Sequence, residues 1–273
     1  MSEHGVPATA VGSPAAILET SGLGVSFGGH HAVQDVSASF SRGTLTAIVG
    51  PNGAGKTTYF NLISGQLRAS GGSVLLDGRD ITSLPAAARA QCGIGRAFQL
   101  TNLFPRLSVL ENVRLAVQAR VEGPHRRGMN LWSIWSDHRA LVDRARQILQ
   151  GVALVDKADL PVAGLPHGDQ RKLEVAMLIA MEPKVYMFDE PTAGMSADEV
   201  PIILELIRRL KRDASASILL VEHKMDVVRE LADRIIVLHN GRLVADGEPA
   251  AVINSDVVRV AYLGLPQQQE APA

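Results

Sequence analysis

The densest chemistry in this chain lies in Gly50-Pro51-Asn52-Gly53-Ala54-Gly55-Lys56-Thr57-Thr58, a complete G-x-x-x-x-G-K-[ST] pattern. Glycines at this spacing let the backbone curl until successive N–H groups point inward at an anion. A helix starting at the end of the loop adds unpaired donors and the positive end of its dipole. Lys56 then reaches the β- and γ-phosphates of a nucleotide, and the Thr57 hydroxyl ligates Mg²⁺. The alternative is a glycine-rich turn that merely caps a helix. A strand before it, a helix after it and Lys-Thr in register favour the phosphate loop.

Four further positions and one short motif acquire meaning beside that loop. Asp189 and Glu190 close an apolar run, Val185-Tyr186-Met187-Phe188. An acid at the C-terminal end of a parallel strand points into the ligand crevice. Asp189 suits Mg²⁺ binding beside Thr57, directly or from one layer behind the ion's own ligands, and Glu190 suits a general base that polarises an attacking water. Taken alone, the pair reads as a helix cap or surface acid. His223 ends another apolar run, Ser217–Val221, on the edge where Asp189 also lies, placed to sense a γ-phosphate or hold the water. Gln99 follows Ile94–Phe98, where its amide could touch Mg²⁺ or water. Leu165-Pro166-His167-Gly168-Asp169-Gln170 precedes a helix, and a glycine there allows close backbone approach to a phosphate.

The elements that must hold these groups alternate. Ile17–Phe27 and Val33–Phe40 read as strands around the turn Gly28-Gly29-His30-His31, with Val33, Val36, Ala38 and Phe40 largely on the apolar side. The strand Leu45–Val49 runs into the phosphate loop, the helical segment Thr57–Ser64 leaves it, and Gly71–Gly78 reads as a hairpin arm. Residues 107–121 and 138–152 have helical periodicity around an irregular insertion, Glu122–Asp137, that contains Trp132 and Trp135. Gly168–Met181 is a further helix. Then the strands Val185–Phe188, Ser217–Val221 and Arg234–Leu238 alternate with the helices Asp198–Lys211 and Met225–Ala232. Buried apolar strands alternating with helices predict an α/β fold with a parallel-sheet core. Residues 1–15 and 266–273 read as loose tails.

Bulk properties narrow the class. The 273 residues are 46% hydrophobic and 20% charged, as in an ordinary globular protein with a sizeable core. A net charge of −1 supplies no strong field for nucleic acid or an anionic membrane. The single cysteine, Cys92, excludes an intramolecular disulfide and a cysteine-based metal cage, and fits a reducing compartment. Met1–Pro14 lacks the basic start and apolar run of a secretory signal. No run approaches the roughly 20 apolar residues that span a bilayer, so a membrane role requires docking to another protein.

The motifs in this order resemble the nucleotide-binding subunit of ATP-binding cassette (ABC) transporters over residues 17–264. The resemblance implies a RecA-like mixed-sheet core with an antiparallel β subdomain and an inserted helical subdomain. The core would span 16–97 and 184–265, and the helical subdomain 98–183. It makes Gly50–Thr58 the Walker A loop, with Gly50, Pro51, Asn52, Gly53, Ala54, Gly55, Lys56, Thr57 and Thr58 all at the phosphates. Gln99 becomes the Q-loop residue, Asp189 the Walker B acid, Glu190 the catalytic glutamate and His223 the switch histidine. Leu165, His167 and Gly168 belong to the signature motif, and Thr57, Gln99 and Asp189 to the Mg²⁺ site. Phe27 lies where the family stacks an aromatic on adenine, with a core Phe at a strand end as the alternative. Two subunits would pair head to tail around two ATP molecules, the signature of each covering the γ-phosphate held by the other. Closure would drive a transmembrane partner.

Two features depart from the family pattern. The usual Leu-Ser-Gly-Gly-Gln is replaced by Leu165-Pro166-His167-Gly168-Asp169, and Pro166 lacks both the hydroxyl and the N–H of the serine. A weaker site is expected wherever this signature is the trans partner. The loop after Asp189-Glu190 reads Ala193-Gly194-Met195-Ser196, where many members end in Asp.

Phe27-Gly28-Gly29, Arg96-Ala97-Phe98-Gln99, the Trp-containing insertion and Ala261-Tyr262-Leu263-Gly264 are similar to the importer subgroup for branched-chain amino acids and related small solutes. That implies a peripheral ATPase on the cytoplasmic face of the inner membrane. Its partners would be two transmembrane permeases, a second ABC ATPase and, indirectly, an extracytoplasmic solute-binding protein, with permease loops docking around Gln99–Arg106. An exporter or lipid-extraction motor differs only by partner. A soluble cassette ATPase acting on ribosomes or DNA, and a P-loop kinase or GTPase, are the readings from other classes. The single cassette, the balanced charge and the absence of an Asn-Lys-x-Asp motif weigh against them.

Overall fold

A computed structural model describes residues 16–97, 103–122 and 133–255, with backbone alone at 122 and 133–138. The tails, Gln99, Trp132 and the segment 261–264 lie outside the described residues.

The first strands, β1 (Ala16–Phe27) and β2 (His30–Ser41), pair antiparallel across the two-residue turn Gly28-Gly29. Val33 and Val36 are both buried although they lie three positions apart, an odd spacing that would put them on opposite faces of a regular strand. Asp35 between them has φ +51° and the register shifts nearby, so a bulge restores the inward face. After β3 (Leu45–Val49) and α1 (Lys56–Ser64), the hairpin β4 (Gly71–Leu76) and β5 (Arg79–Asp80) completes a four-stranded antiparallel sheet ordered β2-β1-β4-β5.

One helix separates this sheet from the next parallel strand. The short α2 (Ala86–Cys92) leads into β6 (Ile94–Ala97). Alanine at most of its positions gives α2 no apolar stripe, which hid it from a periodicity reading. It is anchored instead by a buried arginine. Arg89 Nη1 donates to the carbonyls of Leu62 and Ile63 at the end of α1, at 2.6 and 2.7 Å.

A helical layer follows: α3 (Val109–Glu122), α4 (Ser133–Gly151) and α5 (His167–Met181). Helix α4 begins inside the stretch read as an irregular insertion, so Ser133–Asp137 is helical rather than loop. Then come β7 (Val185–Asp189), α6 (Val200–Lys211), β8 (Ser217–Val221), α7 (Met225–Leu231), β9 (Arg234–His239), β10 (Arg242–Gly247) and α8 (Pro249–Ile253). The last strand and helix carry half-exposed patterns that the sequence reading passed over.

The second sheet is ordered β10-β9-β3-β8-β7-β6 and is parallel except for β10. Its central strands are apolar on both faces because both are covered. Val185, Met187, Leu219 and Val221 pack with α1 and the antiparallel sheet, while Tyr186, Phe188, Ile218 and Leu220 pack with the helical layer and α6. Each of these fully buried aliphatic side chains contributes about 1.5–3 kcal/mol relative to exposure. Among the described residues no helix is long and apolar enough to cross a membrane.

Candidate active site

The sheet order decides what meets. Strands β3, β8 and β7 are adjacent and parallel, so their carboxyl ends share one edge. The loops leaving those ends carry Gly50–Gly55, Glu222-His223 and Glu190. This is the crevice position expected of an open α/β sheet.

The first of these loops fits tightly against its neighbours. Gly50 has φ +153°, and a Cβ there would lie 2.2 Å from the Leu238 carbonyl oxygen. Gly55, the residue before α1, has φ +98°, and its Cβ would lie 2.5 Å from the Ala32 oxygen. No side chain caps α1, which leaves its first N–H groups directed at the loop's interior. Lys56 Nζ donates to the carbonyls of Gly50 at 2.7 Å and Pro51 at 2.9 Å. An ammonium has three donors, so the loop holds Lys56 in place with one donor to spare. Burial pushes the Lys56 pKa down, and the nearby carboxylates of Glu190 and Asp189 oppose that shift.

Around the loop lies a cleft of about 210 Å³, lined by Asn52–Thr58, Glu190, His223, His30 and Ala32. Glu190 Oε1 is 2.7 Å from His223 Nε2, and both side chains are partly exposed to the cleft. Glu190 has φ +52°, in the left-handed region that a glutamate seldom occupies. Its N–H donates to the Val221 carbonyl at 2.9 Å and its carbonyl accepts from Ala193 N–H at 3.1 Å, which together fix the turn. A strained backbone at a cleft rim is where chemistry is commonly placed.

Asp189 stands behind the rim and does not line the cleft. Its Oδ2 accepts from Arg96 Nη2 at 2.7 Å, and both side chains are more than nine-tenths buried. Burial raises the Asp189 pKa, opposed by the Arg96 guanidinium. Arg96 is anchored in turn by Asn61, Ser64 and Gln66 and lies 5.4 Å above the Phe60 ring. The sequence reading used Arg96 only as a mark of lineage. A lone arginine in the short strand Ile94–Ala97 gives no sign of a buried ion pair, because Asp189 lies far away in sequence.

Phe27 is 52% exposed, which removes the alternative of a core phenylalanine. It pairs in register with His30, which does line the cleft. His30 is a cleft residue that the sequence reading missed, and its place beside Phe27 in the turn was the available signal.

Leu165, His167 and Gly168 are not brought to this cleft. The Leu165 side chain is buried in the core, and its carbonyl accepts from Gln170 Nε2 at 2.9 Å. Pro166 is the N-cap of α5 and offers no side-chain acceptor. A Cβ on Gly168 would meet the Glu199 carboxylate, 1.9 Å from Oε1, so any side chain there requires that carboxylate to swing aside. Asp169 accepts from Lys172 Nζ at 2.9 Å and from Lys157.

The Thr57 hydroxyl lines the cleft and suits a hard cation, whereas the Asp189 carboxylate, held by Arg96 behind the rim, would act on such an ion from one layer further back. Among the described residues no three His, Cys, Asp or Glu side chains converge, so such an ion would also need the oxygens of a bound phosphate.

The two-sheet core, the inserted helices and the glycine-lysine cleft define a P-loop ATP-binding cassette. The family model described as ABC transporter matches residues 33–193. The high-affinity branched-chain amino acid transport ATP-binding protein LivG of Escherichia coli is 36% identical over 250 residues, covering 91% of this chain and 98% of that protein. The BraF protein of Pseudomonas aeruginosa, which carries the same description, is 34% identical over 249 residues, covering 91% of this chain and 98% of that protein. Among solved structures, a nucleotide-free ATP-binding cassette from an ABC transporter superposes with a TM-score of 0.76 at 28% identity, covering 92% of this chain and all of that one. An ABC-transporter cassette in its ADP conformation gives a TM-score of 0.76 at 30% identity over the same 92%. The chain belongs to the ABC transporter family and is one of its nucleotide-binding ATPase cassettes.

Proposed function

We propose that this cassette powers a bacterial importer of branched-chain amino acids or related small solutes. The supporting observation is full-length similarity: the transport proteins LivG and BraF align over 98% of their own length.

In this reading the Gly50–Thr58 loop holds the β- and γ-phosphates, and Lys56 contributes its remaining donor. Phe27 stacks on adenine beside His30. Glu190 polarises the attacking water, and His223 holds Glu190 and the γ-phosphate in one geometry. Thr57 and Gln99 would hold Mg²⁺, with Asp189 supporting it from behind the rim, and the ion would neutralise the developing phosphate charge. Gly168 N–H and the uncapped start of α5 bind the γ-phosphate held by a second ABC ATPase, either another copy or a related chain. Separation of the signature from the cleft within one chain fits that trans arrangement.

The proposed membrane partners are two permease subunits at the cytoplasmic face of the inner membrane, with a solute-binding protein acting on them from outside. A groove of about 380 Å³ supports a docking place for permease loops. It is lined by Gln66, Ala87, Arg96, Leu103, Glu174 and Met177, between β6, α2 and α5.

Affinity purification of this chain from detergent-solubilised native membranes, with mass-spectrometric identification, tests the assignment. Two multispanning proteins and a cassette ATPase support it, and uptake of labelled leucine by the reconstituted complex then tests the solute. Recovery of ribosomes or DNA-repair proteins instead would overturn the transport reading and leave the cassette chemistry intact.

A further inference from the structure

We infer that Glu222 and Thr192 form a positioning clamp that holds Glu190 and His223 in register. The inference rests on the reading of Glu190 as the base.

Glu222 is 3% exposed and Thr192 1% exposed. Thr192 Oγ1 donates to Glu222 Oε1 at 2.5 Å. The other oxygen, Oε2, accepts from the backbone N–H of His223 at 2.7 Å and of Lys224 at 3.2 Å. One buried carboxylate therefore receives three donors from two different loops. Thr192 lies two residues after Glu190, on the loop leaving β7. His223 and Lys224 begin the loop leaving β8.

The backbone explains why a clamp is needed. The β7–β8 pairing ends at Asp189↔Val221, so regular strand hydrogen bonding stops just before both rim residues. Beyond that point one backbone bond, Glu190 N–H to Val221 O, joins the loops around the left-handed Glu190. Besides the partly exposed Glu190–His223 contact itself, the Thr192–Glu222 hydrogen bond is a buried side-chain tether between the loops, and it closes on the residue whose carboxylate fixes the His223 N–H. Buried hydrogen bonds of this kind restrict geometry more than they add net stability. Small displacements of a positioned base are costly in rate. Neither Glu222 nor Thr192 lines the cleft, so both act through Glu190 and His223.

The test uses the transporter complex purified through the full chain, with four variants. Thr192→Val and Glu222→Leu break the clamp, whereas Thr192→Ser and Glu222→Gln retain a hydrogen bond between the loops. Steady-state ATP turnover and equilibrium binding of a fluorescent ATP analogue are measured for each. The breaking variants should lose about ten- to a hundredfold in kcat. Their nucleotide affinity should stay within about twofold of the parent. The two conservative variants should recover most of the rate.

Parental kcat in Thr192→Val overturns the clamp. Equal losses of kcat and affinity, or a Thr192→Ser protein as slow as Thr192→Val, overturn it as well, because both describe general loosening. Failure of the underlying reading is recognised separately, by a Glu190→Gln protein that turns over ATP at the parental rate.

Discussion

Glu190 Oε1 and His223 Nε2 lie 2.7 Å apart, although thirty-three residues separate them in the chain. The contact joins the loops after β7 and β8 at the mouth of the phosphate loop. It sets up the first prediction. Glu190→Gln should bind ATP at near-parental affinity, lose steady turnover by about 10²–10⁴-fold and accumulate as an ATP-locked dimer. His223→Ala should also slow turnover while leaving binding intact. Phosphate release and size-exclusion chromatography with ATP check both, and parental turnover in Glu190→Gln would remove it as the base.

Phe27 presents half its surface to solvent at the end of the β1–β2 hairpin. Phe27→Ala should weaken ATP binding by about tenfold, since stacking of a base on an aromatic contributes about 1–3 kcal/mol. Its melting temperature should not change, because nothing is removed from the core. Lys56→Ala is the contrasting variant and should lose nucleotide binding itself. Equilibrium titration separates the two, and unchanged ATP affinity in Phe27→Ala would place the adenine elsewhere.

Pro166 sits at the N-cap of α5 with no side chain to satisfy the first N–H groups. Serine at this position would cap the helix and stabilise it by about 1 kcal/mol. Its hydroxyl would also be available to a γ-phosphate in trans. Pro166→Ser, made in the Glu190→Gln background, should therefore lower the ATP concentration at which the dimer forms. Size-exclusion chromatography across an ATP series reads this, and an unchanged midpoint would show that proline costs the closed state nothing.

Asp169 predicts a pH effect of defined sign. Burial alone would raise its pKa, but hydrogen bonds from Lys157 and Lys172 prevail and hold it below the ordinary 3.8. A carboxyl lowered in the folded state contributes stability that is fully present above its unfolded pKa. The contribution is lost as pH falls through the folded value. Asp169→Asn should thus be less stable than the parent by about 1–3 kcal/mol at neutral pH. The gap should narrow below about pH 4. Urea unfolding at a series of pH values measures it, and a constant gap would mean that the ion pairs are not its source.

Several elements were legible because their chemistry is local. The phosphate loop and its flanking strand and helix follow from adjacent residue types, as do the apolar strands β7, β8 and β9. Others were hidden for identifiable reasons. Helix α2 has no apolar stripe and is held by the single buried Arg89. The start of α4 fell within a stretch whose glycine, proline and basic residues suggested a loop. Strand β10 is half exposed, so its alternation is weak. A lone glutamate such as Glu222, or arginine such as Arg96, gives no hint of burial, because the side chains that meet them, Thr192 and Asp189, lie far away in sequence.

Nucleotide-phosphate binding is written in local sequence, because it needs a contiguous run of backbone N–H groups followed by Lys and Thr. The sequence also determined the order of candidate groups along the chain, though each remained ambiguous in isolation. Which of them meet depends on the three-dimensional packing. The order β3-β8-β7 brings Lys56, His223 and Glu190 to one edge and leaves Leu165, His167 and Gly168 away from it. The same packing exposes Phe27, buries Asp189 against Arg96 and closes Thr192 onto Glu222. Sequence spacing sets local backbone geometry, but hydrogen bonds and ion pairs between distant segments depend on which strands become neighbours, and that is settled by burying both faces of the parallel sheet together.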